Sequence, residues 1–70
     1  MVQVEKVKEI VEKMPRTFTP EDIIEICKKE GIDIHAIKRD GNKFSPELHK
    51  VLIYELEIYY SPFLRIYLKY

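Results

Sequence analysis

Four prolines, at positions 15, 20, 46 and 62, constrain this 70-residue chain more than any other feature. Proline has no amide donor and a fixed φ, so it stands in the first turn of a helix or ends one, and breaks any helix it interrupts. Pro15 closes the segment before it, because the residue preceding a proline is pushed out of the helical region. Thr19-Pro20-Glu21-Asp22 and Ser45-Pro46-Glu47 each present a capping hydroxyl, a proline and then acidic side chains, the order of a helix start. Ser61-Pro62 repeats the pair near the end. The chain must be built from short elements, and with no linker or internal repeat it reads as one domain, 1 to 70.

Between these marks the apolar spacing assigns elements. Val4, Val7, Val11 and Met14 step by three and four along a first helix expected over Val2 to Met14, whose stripe packs on the domain or forms a dimer seam. In a second helix, 20 to 30, Ile23, Ile24, Ile26 and Cys27 face inward. Phe18 can staple onto Ile23, and Gly31 can take the left-handed cap. Ile32 to Lys43 admits two forms. Asp33 could cap a short helix burying Ile34 and Ile37, or Ile32, Ile34 and Ala36 could alternate as a strand with Asp40-Gly41-Asn42 turning back through Lys43 and Phe44. The helix is preferred, since Ile37 breaks the alternation.

From Ser45 a third helix buries Leu48, Val51, Leu52 and Leu56. Ile58 and Tyr60, then Leu64, Ile66, Leu68 and Tyr70, alternate as strands do. The expected fold is α+β, with three or four short helices and a C-terminal β-hairpin. The alternative is an all-α bundle in which Ser61-Pro62 caps another helix, and the enrichment in Tyr and Ile favours strands.

At 46% hydrophobic and 34% charged, the chain has the makings of a folded domain, near the lower size limit for folding alone. Its Lys, Glu and Ile bias resembles thermophile composition. Formal net charge is zero, which argues against coating nucleic acid by bulk attraction. Locally, however, residues 35 to 50 carry Lys38, Arg39, Lys43 and Lys50 against Asp40 and Glu47. A lone Cys27 cannot form an internal disulfide, and the absence of a signal peptide or long apolar span makes a cytoplasmic location the simplest expectation. His35, His49 and Cys27 match no compact zinc spacing, so no metal is expected. No nucleophile, base and orienting group come together, and no cofactor or small-molecule substrate is expected.

The order of elements resembles the winged helix-turn-helix family. Thr17-Phe18-Thr19-Pro20-Glu21-Asp22-Ile23-Ile24 is similar to the link and second-helix start of such domains, and Ser45 to Leu56 is similar to their recognition helix. The hairpin from Glu57 to Tyr70 would be the wing, with Tyr60 to Phe63 at its tip. About a dozen residues separate the second and third helices, where the family has a tight turn. A rival register sets the motif at Ile23 to Gly41, with Gly31 in the turn.

The resemblance implies a small, non-enzymatic, transcription-regulatory protein that binds double-stranded DNA. Glu47, His49, Lys50 and Tyr54 would face base edges, with Lys38, Arg39, Lys43 and Arg65 on phosphates. The alternative is a non-enzymatic protein-interaction or assembly module, with a homodimer or another protein as partner, built on Tyr59, Tyr60, Phe63, Tyr67 and Tyr70. These rings are more than one face of a two-stranded ribbon should need, on an outer strand, Phe63 to Tyr70, left as an open edge.

Overall fold

The computed structural model describes residues 3 to 69. Val2 and Tyr70, named above, lie outside them. The domain is α+β, with three helices and two small antiparallel sheets. Helix α1, Val4–Lys13, buries Val7, Ile10 and Val11 and ends where Pro15 requires, with Met14 extended at ψ 158°. Strand β1, Thr17–Phe18, leads into α2, Pro20–Lys29. Its capping box is complete: the Asp22 amide donates to Thr19 Oγ1 at 3.2 Å, and the Thr19 amide donates to Asp22 Oδ2 at 3.3 Å. At the other end Gly31 sits at φ +79°, the Gly31 amide donates to the Lys28 carbonyl and the Ile32 amide to the Cys27 carbonyl. That is a Schellman closure, and it turns buried Ile32 back onto the core.

The preferred helix over Ile32 to Lys43 is not present. Strands β2, Ile37–Arg39, and β3, Asn42–Phe44, form a hairpin with Ile37 opposite Phe44, Lys38 opposite Lys43 and Arg39 opposite Asn42. Asp40 and Gly41 stand at φ +54° and +81°, the two consecutive positive values of a type I′ turn. Asp and Gly accept that conformation, whereas a helix through Asp40 would forfeit the hairpin. Ile37, expected to be buried, is exposed. The rival helix-turn-helix register falls with this helix, because its second half is the hairpin.

Ser45 caps α3, Pro46–Lys50, accepting from the Leu48 amide at 3.3 Å. The helix continues as a π-helical segment, Val51–Glu55, which closes with the Leu56 amide on the Val51 carbonyl at 3.0 Å. Strands β4, Tyr59–Ser61, and β5, Ile66–Leu68, follow as a hairpin whose turn is 62 to 65, two residues beyond the expected tip. The all-α alternative is thereby excluded. Strand β5 is not an open edge: it pairs with β1 on its other side, Thr17 opposite Leu68 and Phe18 opposite Tyr67, giving the order β1-β5-β4. Lys69 extends this join, its amide donating to the Arg16 carbonyl and its ammonium to the Val11 and Met14 carbonyls at the end of α1.

The tyrosines explain themselves here. Tyr67, expected at an interface, is only 2% exposed, because the central strand faces it inward between Phe18 and Tyr60, ring centroids 5.5 and 4.8 Å away. These cross-strand pairs form an aromatic ladder over all three strands. No helix among the described residues is long and apolar enough to cross a membrane.

Candidate functional site

The β2–β3 hairpin alternates faces. Phe44 is buried, and Ile37, Arg39 and Asn42 share its side by register, with Lys38 and Lys43 opposite each other between those pairs. Arg39 lies over the Phe44 ring, 4.9 Å from its centroid, which orients the guanidinium by cation–π attraction. The hairpin packs on α2 through β3, and only Ser45 separates β3 from α3. An open groove between them is lined by Lys38 and Arg39 from the hairpin and by His49, Lys50 and Tyr54 from the helix, with Ile37, Phe44 and Pro46 as its apolar wall. Tyr54 is 76% exposed and has no core role.

Five of the eight sequence-predicted contact residues therefore share one groove. Lys43 does not line it: it borders Glu21, Glu25, Lys28 and Lys29 of α2, and shares a second cleft with Arg39, Phe44 and Arg65. Arg65 stands at the β4–β5 turn, its guanidinium 3.7 Å from the Asp40 carboxylate and within 3.4 Å of the Asp40 carbonyl, so its charge is partly answered. Glu47 was expected to face bases; instead its carboxylate accepts from the His35 amide, which fastens the 32–36 segment to α3.

His49 also departs from its expected part. It is half-buried, with Nδ1 2.9 Å from the Tyr67 hydroxyl and its ring 5.1 Å from both Phe44 and Tyr60. Burial, and then the positive charge of Arg39, hold its pKa below the usual histidine value. Burial, then Tyr60, raise that of Tyr67, against the pull of Arg39. Tyr67 thus keeps its proton and His49 is neutral at neutral pH, and the phenol or the ring N–H donates according to the imidazole tautomer. His49 is a joint between α3 and the sheet before it is a surface group.

Of the proposed interface residues, Tyr60 is half-buried in the same cluster and Tyr67 is core, while Tyr59 and Phe63 remain exposed. Sequence reasoning missed Ile37 and Phe44 as groove walls. The signal for them was Asp40-Gly41, a hairpin turn against which the spacing of Ile37 was weighed. Cys27 is fully buried in the core, its thiol pushed up to about 11 by burial and then Glu30. Among the described residues no three His, Cys, Asp or Glu side chains gather in a way that could hold a metal ion.

Chemically, cations along an open groove attract an extended anion, and an exposed ring among them offers a flat apolar contact. No protein-family model, curated protein or solved structure matches the chain.

Proposed function

We propose that the chain is a small, non-enzymatic, winged-helix-like protein that binds double-stranded DNA and acts in transcriptional regulation. Helix α3 and the β2–β3 hairpin make the contact, Lys50 and Tyr54 from the helix beside Lys38 and Arg39 from the hairpin. The observation that carries this is their common groove. The element order supports it: two helices joined by a strand, a Ser-capped third helix, then a hairpin whose inner strand pairs back onto the link. The hairpin between α2 and α3 replaces the family's tight turn and adds a second cationic finger. Lys38, Arg39, Lys43 and Lys50 serve phosphates, which position the protein without reading sequence.

Fluorescence anisotropy with a labelled mixed-sequence duplex tests this. Four neutralised phosphates give a log–log salt slope of roughly −3.6, and replacing Lys38 and Lys50 by alanine brings it to roughly −1.8. A missing or salt-insensitive anisotropy change at low ionic strength would overturn the proposal.

A protein-interaction or assembly role is the second reading. It is favoured by Tyr59 and Phe63, which the core leaves outside. Sedimentation as a strict monomer, unaltered by replacing both with serine, would count against self-assembly through that surface.

A further inference from the structure

The β4–β5 turn is closed by several hydrogen bonds, and its most apolar residue, Phe63, is almost fully exposed. The Arg65 amide donates to the Ser61 carbonyl at 2.7 Å, the Leu64 amide to Ser61 Oγ at 3.2 Å, and Arg65 takes the left-handed conformation, φ +57°. Arg65 then anchors the turn to Asp40 on the neighbouring hairpin. Held on this frame, Phe63 is 92% and Leu64 63% exposed, directly after Pro62. A single exposed apolar residue is ordinary, but here two neighbours and a proline form an apolar prong.

Cations outnumber carboxylates around it: Arg39, Lys43 and Arg65 line the adjoining cleft with Glu21 and Asp40, and Asp40 is paired with Arg65. Arg39 and Phe44 line both the α3 groove and the cleft that runs on to Lys43, Pro62, Leu64 and Arg65. The basic residues thus continue from Lys50 through Arg39 to Arg65, and the track ends at the prong. Phosphates drawn along that track bring the duplex against Phe63. An apolar side chain held there can enter a base step from the minor groove, unstack it and bend the helix, at least cost where the step is pyrimidine–purine.

We propose that Phe63, backed by Leu64 and Pro62, is a wedge that enters the minor groove of bound duplex DNA at a flexible step such as TA and kinks it. This rests on the DNA-binding reading above and adds a deformation and a step preference to it. The charge complementarity of the track favours DNA over a protein as the occupant.

The test uses the full chain and a short duplex with donor and acceptor dyes at its ends and one central TA step, with 2-aminopurine beside that step in a second preparation. Wild-type protein is expected to raise energy transfer, as for a bend of roughly 20–90°, and to brighten the 2-aminopurine. Phe63→Ala should abolish both signals and weaken binding about tenfold, the order of one lost base–aromatic stack, while the salt slope stays unchanged. Circular dichroism of the variant should match wild type, since the ring touches no core residue.

Tight, salt-dependent binding to a duplex that stays straight, or an unchanged bend with Phe63→Ala, would overturn the wedge and leave the DNA reading standing. No binding by the wild type at low salt would overturn both. Loss of a wild-type dimer in Phe63→Ala, with bending intact, would assign the prong to a second copy and overturn the wedge.

Discussion

Nδ1 of His49 lies 2.9 Å from the phenol oxygen of Tyr67, and this contact joins α3 to the central strand of the sheet. Protonating His49 puts a positive charge among these rings beside Arg39, which burial and that guanidinium both oppose. The folded chain binds that proton less readily than the unfolded chain, whose value is near 6.5. Between the two values the unfolded state holds more protons, so stability rises with pH there. The contribution is fully present above about pH 6.5 and is lost as pH falls through the lower, folded value. Thermal midpoints measured from neutral to mildly acid pH should fall more steeply for wild type than for His49→Gln; parallel curves would refute the assignment. Tyr67→Phe should cost about 1 kcal/mol at neutral pH.

Lys69 closes α1 from 55 residues away. Its ammonium donates to the Val11 and Met14 carbonyls at 2.8 and 2.6 Å, joining the Met14 amide on the first of these oxygens at the end of the helix. Lys69→Met keeps most of the stem and removes both bonds. Urea unfolding should show a loss of about 1–2 kcal/mol.

Lys38 and Lys43 stand directly opposite each other on β2 and β3. Like charges in that position repel, so Lys43→Glu should stabilise the fold by about 0.2–1 kcal/mol. The same change should weaken duplex binding and flatten its salt slope. A variant that is more stable and binds less is the signature of cations kept for a partner; unchanged binding would remove Lys43 from the DNA-contact set.

Gly31 closes α2 at φ +79° with open space where a Cβ would go. Gly31→Ala meets no clash and suffers only the left-handed strain, about 1–2 kcal/mol. Its urea midpoint should drop with no change in slope, and Gly31→Asn should drop it less.

Determined by the sequence alone were the features whose causes are local. A Thr-Pro-Glu-Asp start, a glycine stop, a Ser-Pro cap and a proline that ends α1 act within four or five residues, and each stands where the spacing set it. The choice between helix and hairpin at Ile32 to Lys43 was harder, because an apolar count weighed Ile37 as core. The turn chemistry of Asp40-Gly41 outweighed it, and Ile37 became a groove wall.

Only the tertiary structure decided how the aromatic and charged residues were shared between core and surface. Tyr67 is buried because β1, distant in sequence, pairs with β5 and makes it a central strand. His49 turns inward because that buried hydroxyl needs a partner, and Glu47 is taken by the His35 amide. Lys38 and Arg39 reach the α3 groove only because their hairpin, packed on α2, brings them alongside that helix. Caps and turns are set by neighbours along the chain, whereas burial is set by residues that meet only when the chain has folded.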